Sequence, residues 1–275
     1  MPYRLTLTAG TLRGLFLMHT YHFLTIPQFA NASGFSLDHA SVTLRSLAAR
    51  GLIGFFGFTA IPGHGKTPKV YYLTKKGWEI LLYESEYAPE DIGPFSQVRQ
   101  ETSWSPQMYH RLRLLDLFIA LEVQVQTCPH IQIIRTFLEY RRIPKTYVRE
   151  TTDYVTDAQT PENRIVPDGV FVLENRETAR RGLFFLEMDM GTERIVSRIS
   201  RDPRITLHFK MEQYDRYLQS GRFAETYRPW GEFRSATVLF VTNSEARVDN
   251  IRREMLDLPA ALHPYMGGLT ELRAR

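Results

Sequence analysis

Apolar positions in the first third of the chain recur at helical spacing, then at strand spacing. Leu12, Leu15, Phe16, His19 and Phe23 share one face of a helix over 11–23. Thr25 is placed to cap a second helix, Pro27 is tolerated in its first turn, and Gly34 ends it. Ser36 or Asp38 opens a third, with Ala40, Leu44, Leu47 and Ala48 on one side and Gly51 as its stop. An apolar stretch over 52–59, a Pro- and Gly-rich turn over 62–68 and a second stretch over 69–73 read as two strands and a tip. Thr74 begins another helix. The periodicity fails over 84–105, which carries several acids, Pro89 and Pro94 and reads as a linker.

Beyond the linker the pattern predicts a long helix over 106–126, with Leu114, Leu117, Phe118 and Leu121 on its apolar side. Strands are expected over 131–140, 164–173 and 182–190, with an irregular hairpin near 145–157 and a polar turn over 174–181. One or two helices interrupted near Pro203 occupy 193–219. A buried strand over 236–242 and a helix over 244–256 follow.

Three helices and a two-stranded hairpin are the order of a winged helix-turn-helix. The phrases LAARGLIGFF and KVYYLTKKGWEIL resemble those at the same places in winged-helix DNA binders. The resemblance implies that the third helix offers His39, Ser41, Thr43, Arg45 and Arg50 to the major groove of double-stranded DNA. The wing would offer His64, Lys66 and Lys69, with no acid between Gly63 and Lys76. A solvated wing on a protein-protein module is the plainer alternative.

The second half carries a different chemistry. Asp168 follows Pro167 at the start of one strand. Glu187 and Asp189 end the next, and strand alternation points both to one side. Carboxylates beside the apolar run 183–186 are expensive unless a cation partners them. Oxygen ligands in such a clamp suit a hard divalent ion, Mg2+ or Mn2+. The plainer reading makes Asp168 a turn acceptor and pairs the other acids with nearby arginines.

The order helix, three strands, helix, strand, helix resembles the PD-(D/E)XK nuclease-like fold, with Asp168 and Glu187 where that fold carries its acids. With the winged helix in front, the chain resembles the replication-relaxation family, on Pro167-Asp168-Gly169, on the run from Glu187 to Glu193, and on Lys210 with Tyr214. That resemblance implies an α+β protein of three parts: a winged helix over 1–83, an acidic linker over 84–105, and a nuclease-like αβββαβ domain over 106–275. It also implies work on plasmid or mobile-element DNA, in relaxation or nicking, replication or mobilisation. Partners would be double-stranded DNA and relaxase or replication proteins, with homodimer formation left open.

The catalytic set so implied is Asp168, Glu187 and Asp189 on the metal, with Lys210 from the following helix. Asp189 stands where the nuclease motif has its lysine, so the metal clamp and catalysis are separate expectations. Tyr214 and the more remote His110 complete the candidates. Arg194, Arg198 and Arg201 would grip the DNA backbone from one helical side. An inactive nuclease fold serving a DNA-binding regulator, and a protein-binding module, remain as alternatives; Tyr214 or Tyr217 as a nicking-and-joining nucleophile ranks below them.

Composition narrows this only modestly. The 275 residues are 43% hydrophobic and 23% charged, with a formal charge of +4, which permits a polyanionic partner without demanding one. Cys128 is the single cysteine, so neither an intramolecular disulfide nor a cysteine-rich zinc site forms. No apolar run has the length of a spanning helix, and the N-terminus lacks the order of a secretory signal. A cytoplasmic protein without a membrane partner is expected.

Overall fold

The computed structural model describes residues 8–58, 67–98, 105–143, 146–190, 206–242 and 244–254. The chain divides into two compact units, Met1–Gln124 and Val125–Arg275. Both mix helix and sheet, and the fold class is α+β.

The first unit begins with α1 (Ala9–Tyr21), α2 (Ile26–Ser33) and α3 (Leu37–Ala49). Their starts are fixed by hydroxyl caps. Thr8, Thr25 and Ser36 each accept a backbone N–H three residues on, and Gln28 returns a bond to the Thr25 N–H to complete a capping box. Gly34 ends α2 at φ 74°, a left-handed turn that glycine adopts without penalty. Strands β1 (Ile53–Phe56) and β2 (Val70–Leu73) pair antiparallel, and Leu24 bridges Tyr71 from the α1–α2 connection. Leu15, Met18, Phe29, Leu44, Leu47 and Leu52 close the core between helices and hairpin.

Helix α4 (Lys75–Glu84) packs on the hairpin through Gly77, where an added Cβ would lie 2.0 Å from the Leu52 carbonyl oxygen. Because that neighbour is backbone, little can give way. Gly77→Ala is therefore expected to destabilise the protein by roughly 2–3 kcal/mol, read as a lowered midpoint in chemical denaturation.

Part of the segment expected to be a linker is packed. It contains the short helix α5 (Pro89–Ile92), with Ile92 buried. The Trp78 indole donates to the Gly93 carbonyl at 3.1 Å, and Phe16 stacks on Tyr87 at 3.9 Å. The long helix α6 (Pro106–Gln126) also belongs to the first unit for nearly all its length, so the division falls near 124 and not at 106. A buried amide explains this. The Gln28 side chain donates to the Leu112 carbonyl at 2.8 Å and to Asp116 at 2.7 Å, and Tyr21 donates to Glu122.

The second unit is built on a four-stranded sheet in the order β3 (Ile131–Leu138), β6 (Gly169–Asn175), β7 (Arg180–Asp189), β8 (Thr237–Thr242). The first three run antiparallel, and β8 lies parallel to β7. The turn between β6 and β7 is tighter than 174–181, because the Asn175 side chain accepts the N–H groups of Glu177 and Thr178 and folds the chain back at once. A short ribbon, β4 (Asp153–Tyr154) with β5 (Arg164–Ile165), precedes β6.

Helix α7 (Leu207–Ser220), capped by Thr206 and ended by Gly221, lies on one face of the sheet. Its Tyr214 and Tyr217 pack with Val170, Val172, Leu183, Phe185 and Val238, and α8 (Arg222–Thr226) adds Phe223. Helix α9 (Glu245–Glu254) follows β8. No helix among the described residues is long and apolar enough to cross a membrane.

Candidate functional site

The strand registers place acids at one end of the sheet. Leu138 pairs with Gly169, and Gly169 with Leu186. One step further along these ladders sets Glu139 opposite Asp168, and Asp168 opposite Glu187. The Glu139 N–H donates to the Asp168 carbonyl at 3.0 Å, which closes the first of these steps. The alternation that sends Phe137, Val170 and Phe185 into the core brings these three acids, two residues away, to its rim. Carboxylate oxygens of Glu139 and Asp168 lie within 4.8 Å of each other. Asp168 is half-buried, and its Oδ2 accepts the Met188 N–H at 2.7 Å, fixing it beside β7.

Glu187 is 4% exposed and takes two partners from α7. Lys210 Nζ lies 3.2 Å from Oε2, and the Tyr214 hydroxyl donates to Oε1 at 2.5 Å. Lys210 and Tyr214 are four residues apart, one helical turn, so a single carboxylate meets both. Burial pushes the Glu187 carboxyl up to about 7; the Lys210 charge pulls the other way, and Asp168 adds to the rise. Tyr214 is held above the ordinary phenol range by burial and then by Glu187. Tyr217 donates to Asp153 and is raised for the same reasons. Both phenols are buried hydrogen-bond donors, which suits neither to nucleophilic attack.

Asp189, expected as a third metal ligand, has other company. Arg247, at the start of α9, holds it with two bonds, Nε to Oδ2 at 2.7 Å and Nη2 to Oδ1 at 3.4 Å. The β6–β7 register thus sets Asp168 opposite Glu187, while Asp189 forms a buried ion pair with Arg247. Glu139 and Arg247 were not singled out from the sequence. Glu139 shows itself only through register. Arg247 answers a rule available earlier, that a buried carboxylate requires a cation.

A divalent ion fits the row of Glu139, Asp168 and Glu187. The donors are hard oxygens, those of Glu139 and Asp168 lie within 4.8 Å of each other, Lys210 reaches Glu187 and Arg149 reaches Glu139. Asp189 does not fit such a role while Arg247 occupies both of its oxygens.

The remaining candidates lie in the first unit or outside the described residues. In the first unit, His39 and Arg45 are exposed on α3, while Thr43 and Arg50 are half-buried there and at its end. His39 stacks on Phe35 at 4.2 Å. Arg45 acts electrostatically on Tyr71 of β2, whose phenol burial raises and Arg45 lowers. Lys69, exposed before β2, sits 4.7 Å above the Phe55 ring. His110 lies half-buried on α6. His64, Lys66, Arg194, Arg198 and Arg201 fall outside the described residues.

A family model described as Replication-relaxation matches residues 15–229. The chain belongs to the replication-relaxation family. The match runs through both units and takes in Glu139, Asp168, Glu187, Lys210 and Tyr214, while β8 and Arg247 lie beyond it. Membership ties the protein to replication or relaxation of plasmid or mobile-element DNA and to DNA as a partner. A search of curated proteins gave no match.

Proposed function

We propose that this replication-relaxation protein binds duplex DNA through a winged helix in its first unit and carries a divalent-metal phosphodiesterase site in a PD-(D/E)XK-like second unit. The observation that carries the reading is the row Glu139–Asp168–Glu187 with Lys210 3.2 Å from Glu187. Support for the fold assignments comes from the element order, from the antiparallel β3–β6–β7 ladder with parallel β8, and from the exposed basic side chains on α3 and beside β2.

When bound, Mg2+ or Mn2+ would supply charge neutralisation at the scissile phosphate and a more acidic water. The chain's own groups do the rest. Asp168 and Glu187, with Glu139 beside them, would hold the ion. Lys210 brings from α7 the positive charge that the motif would have carried at position 189, and orients the attacking water. Tyr214 locks the Glu187 rotamer through its 2.5 Å bond.

One observation favours a second reading. The motif-lysine position is an acid spent on Arg247, as expected of a nuclease fold retained as scaffold for a DNA-binding regulator. Two assays separate the readings. In a salt-titrated anisotropy measurement, wild type binds duplex DNA with affinity falling steeply as salt rises. Arg45→Ala and Lys69→Ala each weaken binding and lower the salt slope by about one. In a plasmid assay with Mn2+, supercoiled DNA is nicked by wild type, and Asp168→Ala lowers the rate by at least about a hundredfold. Binding with no nicking by wild type selects the regulator; absence of salt-sensitive binding rejects both.

A further inference from the structure

Between β3 and β4 the chain folds back into a narrow hairpin that begins at Glu139 itself. Arg142 bridges Arg149, the Ile143 N–H donates to the Val148 carbonyl at 3.0 Å, and the Glu150 N–H donates to the Arg141 carbonyl at 2.8 Å. Its base is anchored. Glu150 pairs with Arg135 at 3.2 Å and accepts the Leu138 N–H at 3.3 Å, while Arg149 pairs with Glu139.

The tip is unlike the base. Tyr147 is 91% exposed, and the apolar Ile143 and Val148 are 44% and 42% exposed beside it. The Arg142 guanidinium lies 5.8 Å from the Tyr147 ring. Every charged residue among those described from 141 to 149 is basic: Arg141, Arg142 and Arg149. A ring held in water on a basic, anchored hairpin is set up for a partner that is anionic along its length and offers flat apolar faces. A nucleic-acid strand with unstacked bases has both properties. A paired duplex hides its faces and would have to be wedged open first.

We propose that this hairpin is a base-stacking wedge, in which Tyr147 stacks on an unpaired or partly unstacked base while Arg142 meets the adjacent phosphate. The inference rests on the DNA-processing reading and deepens it. The substrate class becomes DNA with locally opened strands, delivered beside Glu139 and Asp168, because the hairpin leaves the sheet at that row. Tyr147 is thereby a specificity-determining residue, since it lies at the hairpin tip and not among the acids.

The test uses the full chain, with chelator present, and labelled DNA of two kinds: a fully paired duplex and the same duplex with a central unpaired bubble. Anisotropy is expected to show Tyr147→Ala binding the bubble about tenfold more weakly, with the paired duplex changed less than about twofold, and Tyr147→Phe behaving as wild type. Equal loss on both DNAs, or no loss on the bubble, overturns the wedge while leaving the DNA-processing reading intact. Failure of wild type to bind either DNA overturns both. Vesicles of phosphatidylserine and phosphatidylcholine form a further arm. Sedimentation with vesicles that Tyr147→Ala abolishes, with DNA binding unchanged, reassigns the tip to a lipid surface and overturns the wedge. Because Tyr147 is so exposed, its removal leaves the fold intact, and an unchanged circular dichroism spectrum verifies this.

Discussion

Arg247→Ala is expected to destabilise the protein by about 3–5 kcal/mol, the largest loss we anticipate from any single substitution. The Asp189 side chain is 1% exposed and Arg247 reaches it with two bonds from α9. Truncating the arginine strands a carboxylate that the fold has already removed from water. The carboxylate must then take up a proton or draw solvent into the end of the sheet. A paired replacement separates this cause from lost packing. Asp189→Leu combined with Arg247→Met removes both charges, and is expected to recover more than half of what Arg247→Ala loses. Urea denaturation followed by circular dichroism reads the difference. A double variant no better than the single would mean that packing of the arginine stem, and not the buried charge, dominates.

Glu187→Gln is expected to do the opposite and stabilise the metal-free protein. The Glu187 carboxyl stands at about 7 in the fold against 4.5 for the ordinary group, chiefly because it is buried. The fold therefore holds that proton more tightly than the unfolded chain does. Its contribution to stability is fully present below about pH 4.5 and is lost as the pH rises through about 7. A glutamine keeps the shape without the charge, and can still accept the Tyr214 hydrogen bond. The variant should match wild type near pH 4.5, draw ahead as the pH rises, and level off above pH 7 at roughly 2–3 kcal/mol more stable. Denaturation curves in chelator across that range measure the gap directly. A constant offset, or a gap that widens toward acid, would contradict the assignment. A wild-type residue that weakens its own fold at neutral pH is the pattern expected when a carboxylate is kept for something it binds.

Local chemistry was legible in the sequence wherever a residue and its consequence sit within one turn. Thr25, Ser36 and Thr74 announce helix starts, Gly34 and Gly51 announce stops, and the Pro167-Asp168-Gly169 step marks the entry to β6. The order of strands around the acids followed from that. The boundary of the first unit did not, because it depends on Gln28 reaching Leu112 and Asp116, partners more than eighty positions away. Polar composition over 84–105 suggested a linker, and Trp78 with Ile92 pack part of it instead.

The acids divide the same way. Asp168 and Glu187 could be paired from spacing, since both flank apolar runs of similar length. Glu139 joins them only through the β3–β6 register, and a one-residue slip would have sent it to the other face. Strand alternation correctly put Asp189 on the side of Glu187. It gave no warning that Arg247, fifty-eight positions later, would claim it. Lys210 was reachable because a helix after the third strand has one face toward the sheet, and the lysine and Tyr214 share that face.

Calorimetric titration of Mn2+ into the full chain at pH 8 tests the central claim most directly. Wild type is expected to bind saturably, with binding weakened at least about tenfold in Asp168→Ala and in Glu187→Ala, and weakened also in Glu139→Gln. Binding of equal strength in all four proteins, or none in wild type, would contradict it.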